Sequence, residues 1–434
     1  MTLPHYASAK TVVSRVSGIR VKLMATVIIL TCGLFFSSIA SDSLRTRVDY
    51  RFLLQDDPAR FCTMQQLTQN YLSAYGLLSR GLSVSVKNGK VADLVQMGLC
   101  AFYFLPMTHE EGHRTILTAL DIGAVSQPYY NSDGFAYVNG VTDSTLRHLR
   151  DTGLPQYIRL HTAGLESDYM LTRRVETIGA FGFDDPVYYR WEYLFRKFML
   201  VHYYMEGLFK VDADEPQEAD ELERDIVGFD TYGAARHLYR PTMDFRRYTS
   251  YDELTSEERR FIRRAGYRSL LNAVHPMLFG KSRFKVGEVI DWCAGAGYTM
   301  APFGDFIDET VWLSIHDRYH CMLYLRQYEN EKTWFPAFGA GLLRYRPVEH
   351  LSIDASGHFW RQPKNLSFRT REGFSGGALD IDCSWFFLYK TGDGTAARGI
   401  SADIGFLYKT EGFMPEVMAM DESAQFRIGT TLRL

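Results

Sequence analysis

The chain has 434 residues, of which 46% are hydrophobic and 23% are charged, a composition typical of folded protein and long enough for two or three domains. Its formal net charge is -3 at pH 7, and no cluster of Lys and Arg is interleaved with aromatic residues. These features argue against intrinsic disorder and against nucleic acid as a partner.

Residues 1–40 have the pattern of a signal peptide, so we expect the protein to be exported. Several basic residues precede the uncharged run 23–36, and the small residues before Ser41 suit a cleavage site after Ala40. An uncleaved anchor and lipidation at Cys32 are the alternatives. The cysteines after residue 40 are far apart, which predicts neither a metal knuckle nor a disulfide framework.

Residues 41–211 are predicted to form a mostly helical domain. Two apolar stretches, 91–107 and 193–211, approach the length of a membrane helix, but both contain charged or polar residues. We therefore expect them to be buried core helices, with interfacial helices as the alternative. The turn-bounded segment 128–141 is predicted to form a hairpin whose edge could hold an extended peptide.

His109, Glu110 and His113 form the His-Glu-x-x-His pattern of zinc hydrolases. Because the histidines are four residues apart, a helix places both on one face, where they can bind one tetrahedral metal ion. Glu110 can then reach a water molecule in the open coordination position. Two structural interpretations are possible. Thr108 and Glu111 form a capping box at a helix start, or the preceding apolar stretch is helical and the motif lies inside a longer helix.

A catalytic zinc site usually has three protein ligands, so a third is required. Residues 161–169 are predicted to begin a second helix. Here the chain resembles the gluzincins, zinc peptidases whose third ligand is a glutamate on a second helix after the His-Glu-x-x-His motif. The resemblance covers residues ~90 to 180 and implies Glu166 as the third ligand, while Asp168 could orient one of the histidines. The alternatives for the third ligand are Glu176, His161 and Asp121.

Residues 212–284 are predicted to be an acidic linker followed by a helical connector. Acidic residues dominate 212–225, which is typical of a solvated segment near a domain boundary. Thr255 and Glu258 then form a capping box that predicts the start of a basic helix.

Residues 285–434 are predicted to be β-structure, because apolar and polar residues alternate there with a period of two. The alternation is clearest in 400–409 and 425–434, and about eight strands are expected, as in a small membrane barrel. This region resembles bacterial outer-membrane β-barrels, which commonly end in an amphipathic strand. A soluble β-sandwich or lipocalin-like barrel is the alternative, because alternation alone does not tell whether the apolar face points outward.

Together these patterns predict an α+β protein in which a helical zincin-like domain precedes an antiparallel, about eight-stranded β-barrel. The predicted function is that of an exported zinc metallopeptidase that cleaves a peptide or protein substrate, with the barrel in the outer membrane and the catalytic domain in the periplasm. Glu110 is the predicted general base, and Zn²⁺ is the predicted cofactor. One alternative is a non-enzymatic outer-membrane or envelope protein with a coincidental motif. Another is a helical inner-membrane zinc peptidase, which the charged residues of the apolar stretches disfavour.

Overall fold

The computed structural model describes residues 48–57, 62–127, 136–211, 218–392 and 395–434, without the side chains of residues 388–397. The predicted signal peptide, most of the 128–141 hairpin and residues 212–217 of the acidic linker lie outside the described residues. The helices are α1 (Met64–Ser85), α2 (Gly89–Leu99), α3 (Leu105–Ala119), α4 (Asp143–Thr152), α5 (Leu154–Phe181), α6 (Arg190–Phe209), α7 (Asp230–Tyr239) and α8 (Ser256–Ser269).

Ten of the described strands form one antiparallel sheet, in the order β1-β12-β11-β10-β9-β8-β7-β6-β5-β4, while β2 and β3 pair separately. The strands are β1 (Asp49–Gln55), β2 (Val125–Gln127), β3 (Tyr137–Asn139), β4 (Phe284–Val286), β5 (Ile290–Ala301), β6 (Gly304–Ile315), β7 (Tyr319–Glu329), β8 (Trp334–Val348), β9 (Leu351–Pro363), β10 (Gly373–Gly392), β11 (Thr395–Lys409) and β12 (Ser423–Arg433).

The fold confirms the predicted mixture of helices and antiparallel strands with a helical N-terminal part, but the prediction of a closed barrel is wrong. The sheet is open, with β1 at one edge and β4 at the other. Its tenth strand, β1, precedes the helices in the chain and pairs with β12, beginning with Asp49 opposite Arg433. The sheet stays open because helices, rather than further strands, pack beside both of its edges.

Side chains of α1 occupy the free edge of β1. The Asn70 carboxamide accepts a hydrogen bond from the Leu53 backbone N–H at 2.7 Å and donates one to the Leu53 carbonyl at 2.8 Å. Ser73 donates to the Arg51 carbonyl at 2.6 Å. These contacts satisfy backbone groups that a neighbouring strand would otherwise pair, so the edge is not available for strand addition.

The long strand β5 is protected in a similar way beyond its short pairing with β4. The Asn272 carboxamide accepts from the Tyr298 backbone N–H at 3.0 Å and donates to the Tyr298 carbonyl at 2.9 Å. The Met300 backbone N–H donates to the Tyr204 hydroxyl of α6 at 3.0 Å. Helical and connector residues thus cover both edges of the sheet.

The sheet carries buried charged side chains on its inner face, beside part of the hydrophobic core, and exposed apolar side chains on its outer face. In β12, Arg427 and Arg433 are buried, whereas Phe426 and Ile428 are 56% and 54% exposed. This polarity is the reverse of a soluble β-sandwich, in which the apolar face is inside. The most exposed apolar side chains of the outer face are Leu323, Leu325, Phe338, Leu379, Trp385, Phe387, Ile404, Phe426 and Ile428.

Charges on the inner face are paired across strands and with the helices. Arg326 donates to Asp308 at 2.7 Å, and Arg433 donates to Asp49 at 2.7 Å. A cavity of about 360 Å³ lies between this face and α5, and both Arg173 and Asp308 line it. The inner face therefore meets the helices both through paired charges and through buried apolar side chains such as Phe306, Tyr328 and Trp360.

A π-helical turn, Cys100–Phe104, joins α2 and α3 into one helical segment, Gly89–Ala119, which we call the motif helix. Thr108 lies inside it and donates to the Phe104 carbonyl at 2.8 Å, so the interpretation of a longer helix is confirmed and Thr108 is not an N-cap. The capping box of Thr255 and Glu258 at the start of α8 is also confirmed.

The motif helix is the one helix among the described residues that is long and apolar enough to cross a membrane, a test that core helices also pass. The expectation that its apolar part is buried is wrong, because only 28% of the apolar window is buried. In α6, by contrast, the charged residues Arg196 and Lys197 are buried and paired with carboxylates.

Replacing Asn272 by alanine is expected to lower the free energy of unfolding by about 1–3 kcal/mol, because the buried N–H and C=O of Tyr298 lose their partners. Urea unfolding of detergent-solubilised protein would measure the change. The exposed Lys87→Ala is the control and should stay within about 0.5 kcal/mol of wild type. Equal stability of all three proteins would contradict the role given to Asn272.

Candidate metal centre

The motif helix and α5 cross at two glycines. A Cβ atom on Gly112 would lie 2.7 Å from the Ala163 carbonyl oxygen, and one on Gly164 would lie 2.4 Å from Nε2 of His109. Both distances are too short for non-bonded atoms, so neither position accommodates a side chain without a shift. This close approach brings the histidines of the motif helix against α5.

The Nδ1 atoms of the two histidines are held by groups of α5. Nδ1 of His109 lies 2.8 Å from a carboxylate oxygen of Asp168, the contact that sequence reasoning expected of this residue. Nδ1 of His113 donates to the Leu160 carbonyl at 2.6 Å. Metal-binding histidines are commonly oriented by such contacts, which leave Nε2 available as the ligand atom.

Both Nε2 atoms converge on one carboxylate oxygen of Asp230, the first residue of α7. The distances to this oxygen are 3.1 Å from His109 and 3.4 Å from His113. All three residues are buried, and their ligand atoms lie within 4.8 Å of one another. The group therefore offers two imidazole nitrogens and one carboxylate oxygen to a single point.

These separations fit a tetrahedral zinc ion. Zinc–ligand bonds of about 2.0–2.1 Å at tetrahedral angles place neighbouring ligand atoms about 3.3 Å apart. The two measured N–O separations fall close to this value. Two histidines and one carboxylate also match the ligand set of catalytic zinc sites that keep a fourth position for water.

The charges around the site favour an ionised Asp230. Burial would raise the pKa of the Asp230 carboxyl, but the charges of His113 and His109 and the hydrogen bonds from both rings outweigh burial and lower it well below its ordinary value. For His109, burial would lower the pKa of the imidazole, but Asp168 and Asp230 raise it well above its ordinary value. The carboxylates thus favour a proton on His109, and a cation bound between its Nε2 and Asp230 would take over the charge of that proton.

Glu110 is half-buried, whereas the three candidate ligands are buried. Burial raises the pKa of its carboxyl to about 8, and the negative charges of Asp230 and Asp168 add to this effect against the opposing influence of His109. Because Glu110 is less buried than the three candidate ligands, it lies at the more open side of the site. The ring of Tyr203 stacks on His109 with 5.0 Å between centroids.

Glu166 is not brought together with the two histidines. Its carboxylate receives hydrogen bonds from Arg159 at 2.9 and 2.7 Å and from the Glu416 backbone N–H at 2.8 Å. Asp230, and not Glu166, lies near the two Nε2 atoms. The gluzincin resemblance implied Glu166 at this position.

The other candidates for the third ligand also lie apart from the two Nε2 atoms. Glu176 pairs with Lys197 at 2.6 Å and Arg173 at 2.8 Å, and Asp121 lies in the turn after the motif helix. His161 is buried beside His237, with ring centroids 5.2 Å apart, and faces Gly233 of α7. Burial, together with the charges of His237 and Arg236, lowers the pKa of His161 well below its ordinary value.

A buried network of ion pairs and hydrogen bonds holds His109 in position through Asp168. Arg196 of α6 is fully buried and pairs with both Asp168 and Glu192, and it also donates to the Thr108 hydroxyl at 2.6 Å. The guanidinium fixes the Asp168 carboxylate, which in turn fixes the imidazole of His109. Removing either charge would leave the other uncompensated in the protein interior.

Sequence reasoning missed Asp230. This residue follows the acidic run that was interpreted as linker, and 117 residues separate it from His113 in sequence. A local signal was present, because Asp230, Gly233 and His237 are spaced to share one face of a helix. Comparison of the chain with protein-family models, with curated proteins and with solved structures found no match.

Replacing Arg196 by methionine is expected to lower the free energy of unfolding by about 3–5 kcal/mol, because the buried carboxylates of Asp168 and Glu192 would lose the guanidinium that they share. The matched control is Arg246→Met, which removes a solvent-exposed pair with Glu253 and should cost at most about 1 kcal/mol. Thermal unfolding of the two variants provides the comparison. Equal losses would show that the buried network contributes no special stability.

Proposed function

We propose that the chain is a zinc-dependent hydrolase in which His109, His113 and Asp230 bind the metal and Glu110 is the general base. The observation that carries the proposal is the convergence of two Nε2 atoms on one carboxylate oxygen at 3.1 and 3.4 Å. The support of both Nδ1 atoms by acceptors on α5 is consistent with it. Asp230 replaces Glu166 as the proposed third ligand.

The order His-Glu-x-x-His is the pattern of metallopeptidases, so the bond proposed for cleavage is a peptide bond. A zinc ion with three protein ligands lowers the pKa of a bound water molecule toward neutrality and polarises a carbonyl group. With zinc bound, the charge of the metal would keep the Glu110 carboxyl ionised, so that it could accept a proton from the attacking water and return it to the leaving amine. Asp168 keeps Nδ1 of His109 protonated and its Nε2 directed at the ligand position.

We further propose that the protein is exported to the cell envelope and that the outer face of the sheet contacts the lipid of an outer membrane. The support is the reversed polarity of the sheet, whose outward side chains are apolar and whose inward charges are paired. In lipid, such a face exposes no apolar surface to water. In this proposal an open sheet whose edges are covered by helices contacts the lipid, whereas the sequence predicted a closed barrel.

A second candidate function is that of a non-enzymatic envelope protein in which the same residues form a structural ion-pair cluster. The observation that favours it is the direct contact between His109 and Asp230, since a protonated imidazole and a carboxylate stabilise each other without a metal. Metal content separates the two candidates.

Elemental analysis of the purified protein is expected to find about one zinc per chain, since three converging ligands suffice for a catalytic site. Asp230→Ala and His113→Ala should lose the metal. Glu166→Gln, which keeps a hydrogen-bond acceptor for Arg159, should retain it. Zinc lost from Glu166→Gln but kept in Asp230→Ala would overturn the ligand assignment, and no zinc in wild type after reconstitution would favour the ion-pair cluster.

Glu110→Gln is expected to retain zinc while peptide hydrolysis falls by about 10²–10⁴-fold, because the amide cannot accept the proton. Its neighbour provides the matched control. Glu111 pairs with Arg114 on the surface of the same helix, so Glu111→Gln should keep nearly full activity. The assay is hydrolysis of casein by the zinc-loaded protein, and equal activity of both variants would exclude Glu110 as the base.

A further inference from the structure

The N-terminal part of the motif helix exposes a run of large apolar side chains just before the proposed metal ligands. The exposed residues are Val91, Leu94, Val95, Phe102, Tyr103 and Met107. From the first to the last of them the helix rises by about 24 Å. The apolar band of an outer-membrane barrel is about 25 Å tall, so the two dimensions agree.

Charged residues delimit this run at both ends. Lys87 and Lys90 precede it, and Glu110, Glu111 and Arg114 follow it. The one charge inside the run, Asp93, forms an ion pair with Arg190 at 2.6 Å. An apolar segment of bilayer height between polar ends is the pattern of a surface that faces lipid.

The exposed run continues the apolar outer face of the sheet. Phe104 of the π-helical turn packs against Tyr71 and Tyr75 of α1, with ring centroids 5.9 Å apart in both pairs, and α1 in turn covers the edge of β1. An apolar groove of about 630 Å³ lies between these elements. Its lining includes Phe52 of β1, Leu78 of α1 and Met107 of the motif helix.

We propose that the motif helix faces the same lipid layer as the sheet, and that the substrate is therefore a polypeptide anchored in or held at that membrane. This inference rests on the hydrolase and membrane placement proposed above and names the substrate class of the same site. Met107 and Glu110 are three residues apart and so are neighbours on the helix surface. The open side of the metal site thus borders the lipid-facing surface, where a membrane-anchored chain is concentrated and a freely soluble one is not.

A lipid layer is favoured over a protein partner by the extent of the apolar surface. Exposed apolar side chains occur on strands from β7 to β12 and again on the motif helix. The buried charges of these strands lie on the opposite, inner face, where they form ion pairs, and the exposed Arg361 and Arg398 lie toward the strand ends. A partner protein would cover one patch of such a surface, whereas lipid covers all of it.

The placement is tested with a nitroxide label on one introduced cysteine, in full-length protein in which Cys32, Cys62, Cys321 and Cys383 are serine and the buried Cys100 and Cys293 are kept. The protein is reconstituted in vesicles of phosphatidylethanolamine and phosphatidylglycerol. Phe102→Cys is the test position, Leu325→Cys on the outer face of β7 is the lipid reference, and Glu257→Cys on α8 is the water reference. The expected result is that the label at position 102 matches the lipid reference, accessible to oxygen and protected from a water-soluble nickel chelate.

Nickel accessibility at position 102 together with protection at position 325 would overturn the inference while leaving the membrane placement of the sheet intact. Nickel accessibility at both positions would overturn the membrane placement itself, and the inference with it. Protection at position 102 from both reagents is the pattern of a protein contact and would also overturn the inference.

The substrate class is tested with casein, either free or coupled through a lipid anchor to the same vesicles, at equal bulk concentration. Wild type should cleave the anchored form at least about tenfold faster, because anchoring raises the effective concentration at the site. Equal cleavage of both forms would overturn the inference and leave the hydrolase intact. Cleavage of neither form by zinc-loaded protein would instead overturn the proposed peptidase function, and the inference with it.

Discussion

The described structure depends on the pairing of charges along α5, a helix of 28 residues that is buried for most of its length. A charged group taken out of water is tolerated only if an opposite charge and hydrogen bonds accompany it. Asp168, Glu166 and Glu176 each meet this condition through an arginine or lysine. Arg196 and Lys197 belong to α6, so their pairings with Asp168 and Glu176 fix α6 against α5, whereas Arg159 belongs to α5 itself.

The same requirement explains why the sheet carries its charges on the inside. Tyr169 and Arg173 of α5 contact the inner face at Asp308 and Thr310, so polar groups of this helix accompany the hydrophobic core that it shares with the sheet. The apolar residues that alternate with the charged ones consequently point to the outer face of the sheet. The proposed metal centre lies on the other side of α5, where Asp168 and the Leu160 carbonyl orient the motif histidines.

Local patterns in the sequence predicted the elements better than their assembly. The spacing of His109 and His113 places both on one helix face, and the alternation in 400–409 predicts a strand, because each depends only on neighbouring residues. The direction of the apolar face could not be predicted, since it depends on what packs against the sheet. The helical spacing of Asp230, Gly233 and His237 was a local signal, but the contact of Asp230 with the motif histidines and the pairing of β1 with β12 could not be predicted, because contacts between residues far apart in sequence leave no periodic signal.

The pairing of β1 with β12 also constrains how the protein can be made. Asp49 and Arg433 are 384 positions apart, and their strands are adjacent in the finished sheet. During synthesis the ribosome delivers β1 first, and its partner emerges only after every other described strand. Contacts of such high sequence separation form slowly, because the entropy of closing a very long loop is lost before any stabilising contact is gained. The side chains of α1 that bond to one edge of β1 are synthesised soon after β1. They can therefore protect that edge until the last strand has been synthesised.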